Sequence, residues 1–173
     1  LGRVAGGLQP HEGAGELGEV VGIHRRERGS RGEAVGVFVE IHAERGADVL
    51  VTEFVSAEGV FRRNDRTREY LNFDECERPI GVQLFGGNAE HMAEAAKHVV
   101  DWVAPDFIDL NFGCPVNKVV AKNGGSALLK DCPTLAAVAA AVVRAVAPLP
   151  VTAKIRIGWD ADSINAPRVA KIL

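Results

Sequence analysis

Phe107-Ile108-Asp109-Leu110-Asn111-Phe112-Gly113-Cys114-Pro115, continued by Val116-Asn117-Lys118 and the turn Lys122-Asn123-Gly124-Gly125-Ser126, is the stretch on which the fold turns. Phe107 to Leu110 reads as a buried strand. Gly113 and Pro115 then stop it and hold Cys114 on a turn at the strand's carboxyl end rather than in a packed interior. A thiol there is placed to do chemistry. The competing reading is that Cys114 is a small buried hydrophobe, the commonest fate of a free cysteine. Strand parity puts Asp109 and Asn111 on one face, opposite Ile108 and Leu110.

Two segments outward from this one repeat the pattern. Pro79-Ile80-Gly81-Val82-Gln83-Leu84-Phe85-Gly86-Gly87-Asn88 is a strand with one polar side chain, Gln83, among apolar ones and a glycine turn beyond. In Val151-Thr152-Ala153-Lys154-Ile155-Arg156-Ile157-Gly158-Trp159, Val151, Ala153, Ile155 and Ile157 take one face while Thr152, Lys154 and Arg156 take the other. These strands alternate with helical segments, so they are expected to be parallel and covered by helices on the apolar face. The polar face then points into a barrel or crevice.

The rest of the chain is organised around these strands. Leu1 to Gly36 is dense in glycine, shows no sustained period, and is expected to build no proper element. Phe38 to Arg45 reads as a helix stopped by Gly46, and Asp48 to Val55 as a strand. Arg62-Arg63-Asn64-Asp65-Arg66-Thr67-Arg68-Glu69 reads as a loop or helix edge, most simply a solvated face. Ala89 to Trp102, with Met92, Ala95, Ala96 and Val99 at helical spacing, and the Ala/Val-rich Leu135 to Val146 are covering helices. Pro167 to Leu173 begins another.

At 173 residues, 47% hydrophobic and 25% charged, the composition is that of a globular domain. No apolar run approaches the roughly twenty residues that cross a bilayer, and no secretory signal is evident. Cys76, Cys114 and Cys132 leave an odd thiol and show no zinc spacing, which favours a reducing compartment; cytoplasm is the expectation. His11, His24, His42, His91 and His98 form no metal-ligand spacing either. A net charge of -3 argues against a strongly basic nucleic-acid module.

Four ordered motifs carry a family resemblance. Val82-Gln83-Leu84-Phe85-Gly86, then Leu110-Asn111-Phe112-Gly113-Cys114-Pro115 with Lys118 and Gly124-Gly125-Ser126-Ala127-Leu128-Leu129, then Ala153-Lys154-Ile155-Arg156-Ile157-Gly158-Trp159, resemble the tRNA-dihydrouridine synthases. Thr52-Glu53-Phe54-Val55-Ser56-Ala57 is similar to that family's second strand, and the likeness runs from about Phe38 to Leu173. An alternating strand and helix order suits an open doubly wound sheet or a (β/α)8 barrel; the resemblance selects an α/β partial (β/α)8 TIM barrel, roughly strands two to five of eight. A complete barrel needs about 200 residues or more, so the chain is expected to be a fragment. Residues 1–36 are then a glycine-rich segment without a counterpart of the family's first strand, and 37–173 a partial FMN-binding catalytic domain.

The resemblance also implies a chemistry. Family enzymes hold FMN at the barrel's carboxyl end, reduce it with NADPH, and pass a hydride to a uracil in tRNA while a cysteine on the other side of the base supplies a proton. Cys114 matches that proton donor. Gln83 matches a residue hydrogen-bonded to the flavin ring, Lys154 a cation against the ring's pyrimidine end, and Asn111 and Arg156 residues around flavin and uracil. Read without the resemblance, Gln83 is more simply a satisfied core amide. Lys154 and Arg156 are snorkelling cations or, on a buried strand, partners of an anionic ligand or of a carboxylate such as Glu53. Gly124-Gly125 shapes a loop more readily than it cradles a phosphate. Two other functions stay open: another FMN barrel reductase of the dihydroorotate or dihydropyrimidine dehydrogenase type, or a non-catalytic remnant.

Overall fold

The structure is a computed structural model that describes residues 20–22 and 47–173. Its strands are β1 (Val20–Gly22), β2 (Val49–Val51), β3 (Val55–Ser56), β4 (Ile80–Phe85), β5 (Phe107–Phe112) and β6 (Val151–Ile155). They form one sheet in the order β1-β2-β4-β5-β6, with β3 also on β4, and every named pair is parallel. The helices are α1 (Ala57–Phe61), α2 (Asp65–Glu69), α3 (Ala89–Val103), α4 (Asn117–Val120), α5 (Cys132–Val146) and α6 (Ala166–Ile172). From β3 onward the parallel strands alternate with helices, the arrangement of a partial (β/α)8 barrel.

The segment read as one strand from Asp48 to Val55 is divided. Val51 pairs with Gly81 and Val55 with Leu84, so four residues of advance on one side meet three on the other. The extra residue bulges the track and separates β2 from β3. A second correction falls on the glycine-rich amino-terminal segment. Val20 pairs with Val49 and Val21 with Leu50, which adds a strand where no element was expected. The helix expected from Phe38 to Arg45, with its stop at Gly46, lies outside the described residues.

Parity then sorts the side chains. Val82, Leu84, Ile108, Leu110 and Phe112 are buried in one cluster with Met92, Ala95, Ala96 and Val99 of α3 and Leu135, Val138 and Val142 of α5. Burying one such leucine contributes about 1.5–3 kcal/mol, so this helix-covered face holds the sheet together. The helix ends are specified locally. Asn88 caps α3 by accepting from the His91 N–H at 2.9 Å. The helix expected from Leu135 in fact starts at Cys132, because the Asp131 carboxylate accepts from the backbone N–H of Thr134 and Pro133 is tolerated in the first turn.

The opposite face carries layers of different chemistry. Nearest the amino ends of the strands, Gly81 sits opposite Phe107, and the ring lies so close that a Cβ on Gly81 would collide with it. One step along are Gln83, Asp109 and Thr152, which are register partners on three adjacent strands. One step further, Asn111 faces Lys154. The polar side chains therefore line the inner face towards the strands' carboxyl ends.

Candidate active site

A single run of hydrogen bonds crosses three strands on this inner face. Thr152 Oγ1 donates to Asp109 Oδ1 at 2.6 Å, and Gln83 Nε2 donates to Asp109 Oδ2 at 2.5 Å. Gln83 Oε1 accepts from Asn111 Nδ2 at 2.7 Å. Asn111 Oδ1 then accepts from the backbone N–H groups of Gly113, at 3.1 Å, and Cys114, at 2.9 Å. Gln83, Asp109 and Asn111 are all buried. Gln83 also donates its backbone N–H to Thr52 Oγ1 at 3.2 Å. Burial pushes the Asp109 carboxyl above its ordinary range, and the hydrogen bonds from Thr152 and Gln83 and the charge of Lys154 oppose that rise.

The run ends on Cys114. Its N–H is held by Asn111, and its carbonyl accepts from both the N–H and the Oγ of Ser126, each at 3.0 Å. Ser126 can reach back because Gly125 adopts φ +58°, a left-handed conformation that glycine takes without cost. A Cβ on Gly125 would stand 2.6 Å from the Cys114 carbonyl oxygen. The Gly124-Gly125 pair thus shapes the loop around the cysteine. Cys114 lies on a turn past β5, as its neighbours predict, yet it is buried, because this returning loop covers it.

The remaining site residues sit around this run. Lys154 is exposed on β6 as the register partner of Asn111. Arg156 is also exposed, past the end of β6, and its Cγ lies 3.3 Å from where a Cβ of Gly113 would be. Exposure removes the burial cost argued for these two cations from sequence. The carboxylate that feels the Lys154 charge is Asp109, and Glu53 lies elsewhere, in the break between β2 and β3. In the arginine-rich stretch, Arg62 pairs with Glu58 at 2.6 Å and Arg68 lies over the Trp102 ring at 5.6 Å. The stretch also contains the short helix α2.

Sequence motifs alone assign no role to Asp109, Thr152 or Ser126. For the first two the signal was present: Asp109 shares its parity with Asn111, and Thr152 with Lys154. Ser126 had no such signal, since its contact depends on the backbone conformation of Gly125. Among the described residues no cluster of His, Cys, Asp or Glu could hold a metal ion, and no helix is long and apolar enough to cross a membrane.

Comparison with known proteins meets this geometry. The family model described as dihydrouridine synthase matches residues 35–173. A probable tRNA-dihydrouridine synthase of Aquifex aeolicus is 41% identical over 122 residues, which is 69% of this chain and 38% of the relative. tRNA-dihydrouridine synthase B of Pseudomonas aeruginosa is 41% identical over 135 residues, or 78% of this chain and 40% of the relative. A probable tRNA-dihydrouridine synthase of Rhizobium leguminosarum is 42% identical over 135 residues, 78% of this chain and 41% of the relative. The chain spans about two-fifths of the length of these curated relatives. With a family model matched from residue 35 to the last residue, a parallel half-barrel, and the strand-end motifs gathered on one face, the chain belongs to the dihydrouridine synthase family.

Proposed function

We propose that this chain is the FMN-binding catalytic part of a tRNA-dihydrouridine synthase, which reduces uridine in tRNA to 5,6-dihydrouridine with NADPH as the ultimate reductant. The observation that carries this reading is the convergence of Gln83, Asn111 and Cys114 in one hydrogen-bonded set, with Lys154 beside it. The residues present fit FMN. Gln83 and Asn111 each spend one N–H on the run, and each amide nitrogen has a second that can meet the acceptor edge of a ring. Lys154 brings a positive charge to the same face, where it favours negative charge on a bound ring.

When bound, FMN supplies the hydride that reaches carbon six of the uracil. The Cys114 thiol gives a proton to carbon five, the step that completes the saturated ring. Asn111 and Ser126 fix the cysteine's backbone on both sides, so its Cα, from which the thiol projects, keeps one position relative to the strand ends. Arg156, exposed beside Gly113, contacts the base or its phosphate, and the uracil leaves its stack to enter the concave face. tRNA is the macromolecular partner, and a cytoplasmic enzyme is the setting. Membership of the dihydrouridine synthase family favours this reaction over those of dihydroorotate or dihydropyrimidine dehydrogenases.

The test is a hybrid of full family length, built on the Aquifex aeolicus relative with the matched segment exchanged for that of this chain. Purified hybrid should carry flavin absorbance and form dihydrouridine in tRNA from a strain without its own synthase. A colourless, folded hybrid that leaves the tRNA unmodified would favour a non-catalytic remnant.

A further inference from the structure

We propose that Asp109 is a positioning residue: its carboxylate anchors the far end of the Gln83-Asn111 run and thereby holds the turn that carries Cys114. Which atoms can donate fixes the direction of every bond in the run. Oδ2 of Asp109 faces the Gln83 amide nitrogen, which only donates, so the carboxylate must accept there. At the other end, the N–H groups of Gly113 and Cys114 also only donate, so Asn111 must present its oxygen to them. Between these fixed ends the two amides have one consistent orientation. Flipping either would set nitrogen against nitrogen and oxygen against oxygen.

Asp109 is the only charged member of the run, and it sits in the middle strand of three, bonded to Gln83 on β4 and Thr152 on β6. A charged acceptor strengthens the bond it receives and polarises the amides that follow. Without it, Gln83 keeps its link to Asn111 and loses the grip on its nitrogen. Asn111 is then tied to a side chain free to rotate, and the Asx-type turn at Gly113 and Cys114 opens more often. The charged group facing Asp109 is Lys154 of β6, whose side chain is exposed.

This inference deepens the reading of Gln83 and Asn111 as ring contacts and of Cys114 as proton donor. Its test uses the 173-residue chain with neither flavin nor tRNA, so a failed flavin assay and a failed relay remain distinguishable. Cys114 and Cys132 are both buried, while Cys76 is exposed. Alkylation of the two buried thiols by iodoacetamide, followed by mass spectrometry, therefore reports local opening at two separate places. In Asp109→Leu, Cys114 should react about tenfold faster, the factor matching loss of one charge-assisted hydrogen bond of the weaker kind. Cys132 should keep its rate. Asp109→Asn, which still offers an oxygen to Gln83, should restore most of the protection.

A second measurement needs no substitution. In the unmodified chain, the side-chain N–H signals of Gln83 and Asn111 and the backbone N–H of Cys114 should shift along one pH titration curve, that of Asp109. Equal acceleration of Cys114 and Cys132 in Asp109→Leu would show general loosening and overturn the proposal. So would an unchanged Cys114 rate in the folded variant. If Asp109→Leu does not fold, a Gln83 signal that titrates while Asn111 and Cys114 stay flat overturns it equally.

Discussion

Substituting alanine at two adjacent glycines should have opposite consequences. Gly125 has φ +58°, and a left-handed alanine costs about 1–2 kcal/mol. Its Cβ would also lie 2.6 Å from the Cys114 carbonyl oxygen and 2.9 Å from Val119 Cγ1. That oxygen accepts two hydrogen bonds from Ser126, and displacing it weakens both, at about 1 kcal/mol each. Alanine's stiffer unfolded chain returns about 0.4–1 kcal/mol. The net loss for Gly125→Ala is about 2–3.5 kcal/mol, taking these contributions together. Gly124 has an extended φ of -113°, and its Cβ would meet nothing nearer than the Val119 carbonyl oxygen at 3.4 Å. Only the unfolded-chain effect then operates, so Gly124→Ala should be neutral or about 0.4–1 kcal/mol more stable. Urea denaturation of the chain, followed by the fluorescence of Trp102 and Trp159, measures both. Unfolding free energies for the two variants that agree to within about 0.5 kcal/mol would refute the assigned role of Gly125.

Further outcomes can be measured in the same way. In the full-length hybrid, Cys114→Ala should retain FMN and lose about a hundredfold to ten-thousandfold in dihydrouridine formation; near-normal turnover would remove Cys114 from the chemistry. Lys154→Ala should weaken FMN binding or lower the potential of the bound flavin, and a variant unchanged in both would make Lys154 structural. The 173 residues alone should bind FMN weakly, because the contacts proposed for Gln83, Asn111 and Lys154 are all to the ring end of the cofactor. A fluorescence titration that saturates at micromolar FMN or below contradicts this. Burial raises the Asp109 carboxyl, so its contribution to stability is full below the ordinary aspartate value and is withdrawn as pH rises through the raised one. Asp109→Asn should therefore gain stability relative to the parent across that window, and parallel stability curves for the two would show that Asp109 does not titrate as placed.

The inner and outer faces of β5 and β6 were legible in the sequence, because a period of two survives in any register. Asp109 and Asn111 fall where alternation puts them, and so do Thr152 and Lys154. What alternation cannot give is the partner across the strand. Whether Gln83 meets Asp109 or Asn111 depends on stagger, and the structure has it bonded to both. The division of β2 from β3 was hidden for the same reason, since a bulge exists only relative to a neighbour. The Val20–Gly22 strand lacked any periodic signal, being three residues among glycines, and it is fixed by pairing with β2. The burial of Cys114 was likewise tertiary. Gly113 and Pro115 announce the turn, but the cover comes from a loop ten residues downstream.

The Gly81 and Phe107 pair carries a consequence for how this sequence can change. The ring occupies the space a side chain at position 81 would need, so the two positions share one fixed volume. The two are coupled: enlarging residue 81 requires the half-buried ring of Phe107 to move or shrink, and a smaller residue at 107 leaves room for a larger one at 81. Single substitutions at either site should be poorly tolerated and paired ones accepted. A library randomised at both positions and selected for folding should return combinations whose summed side-chain volume is nearly constant.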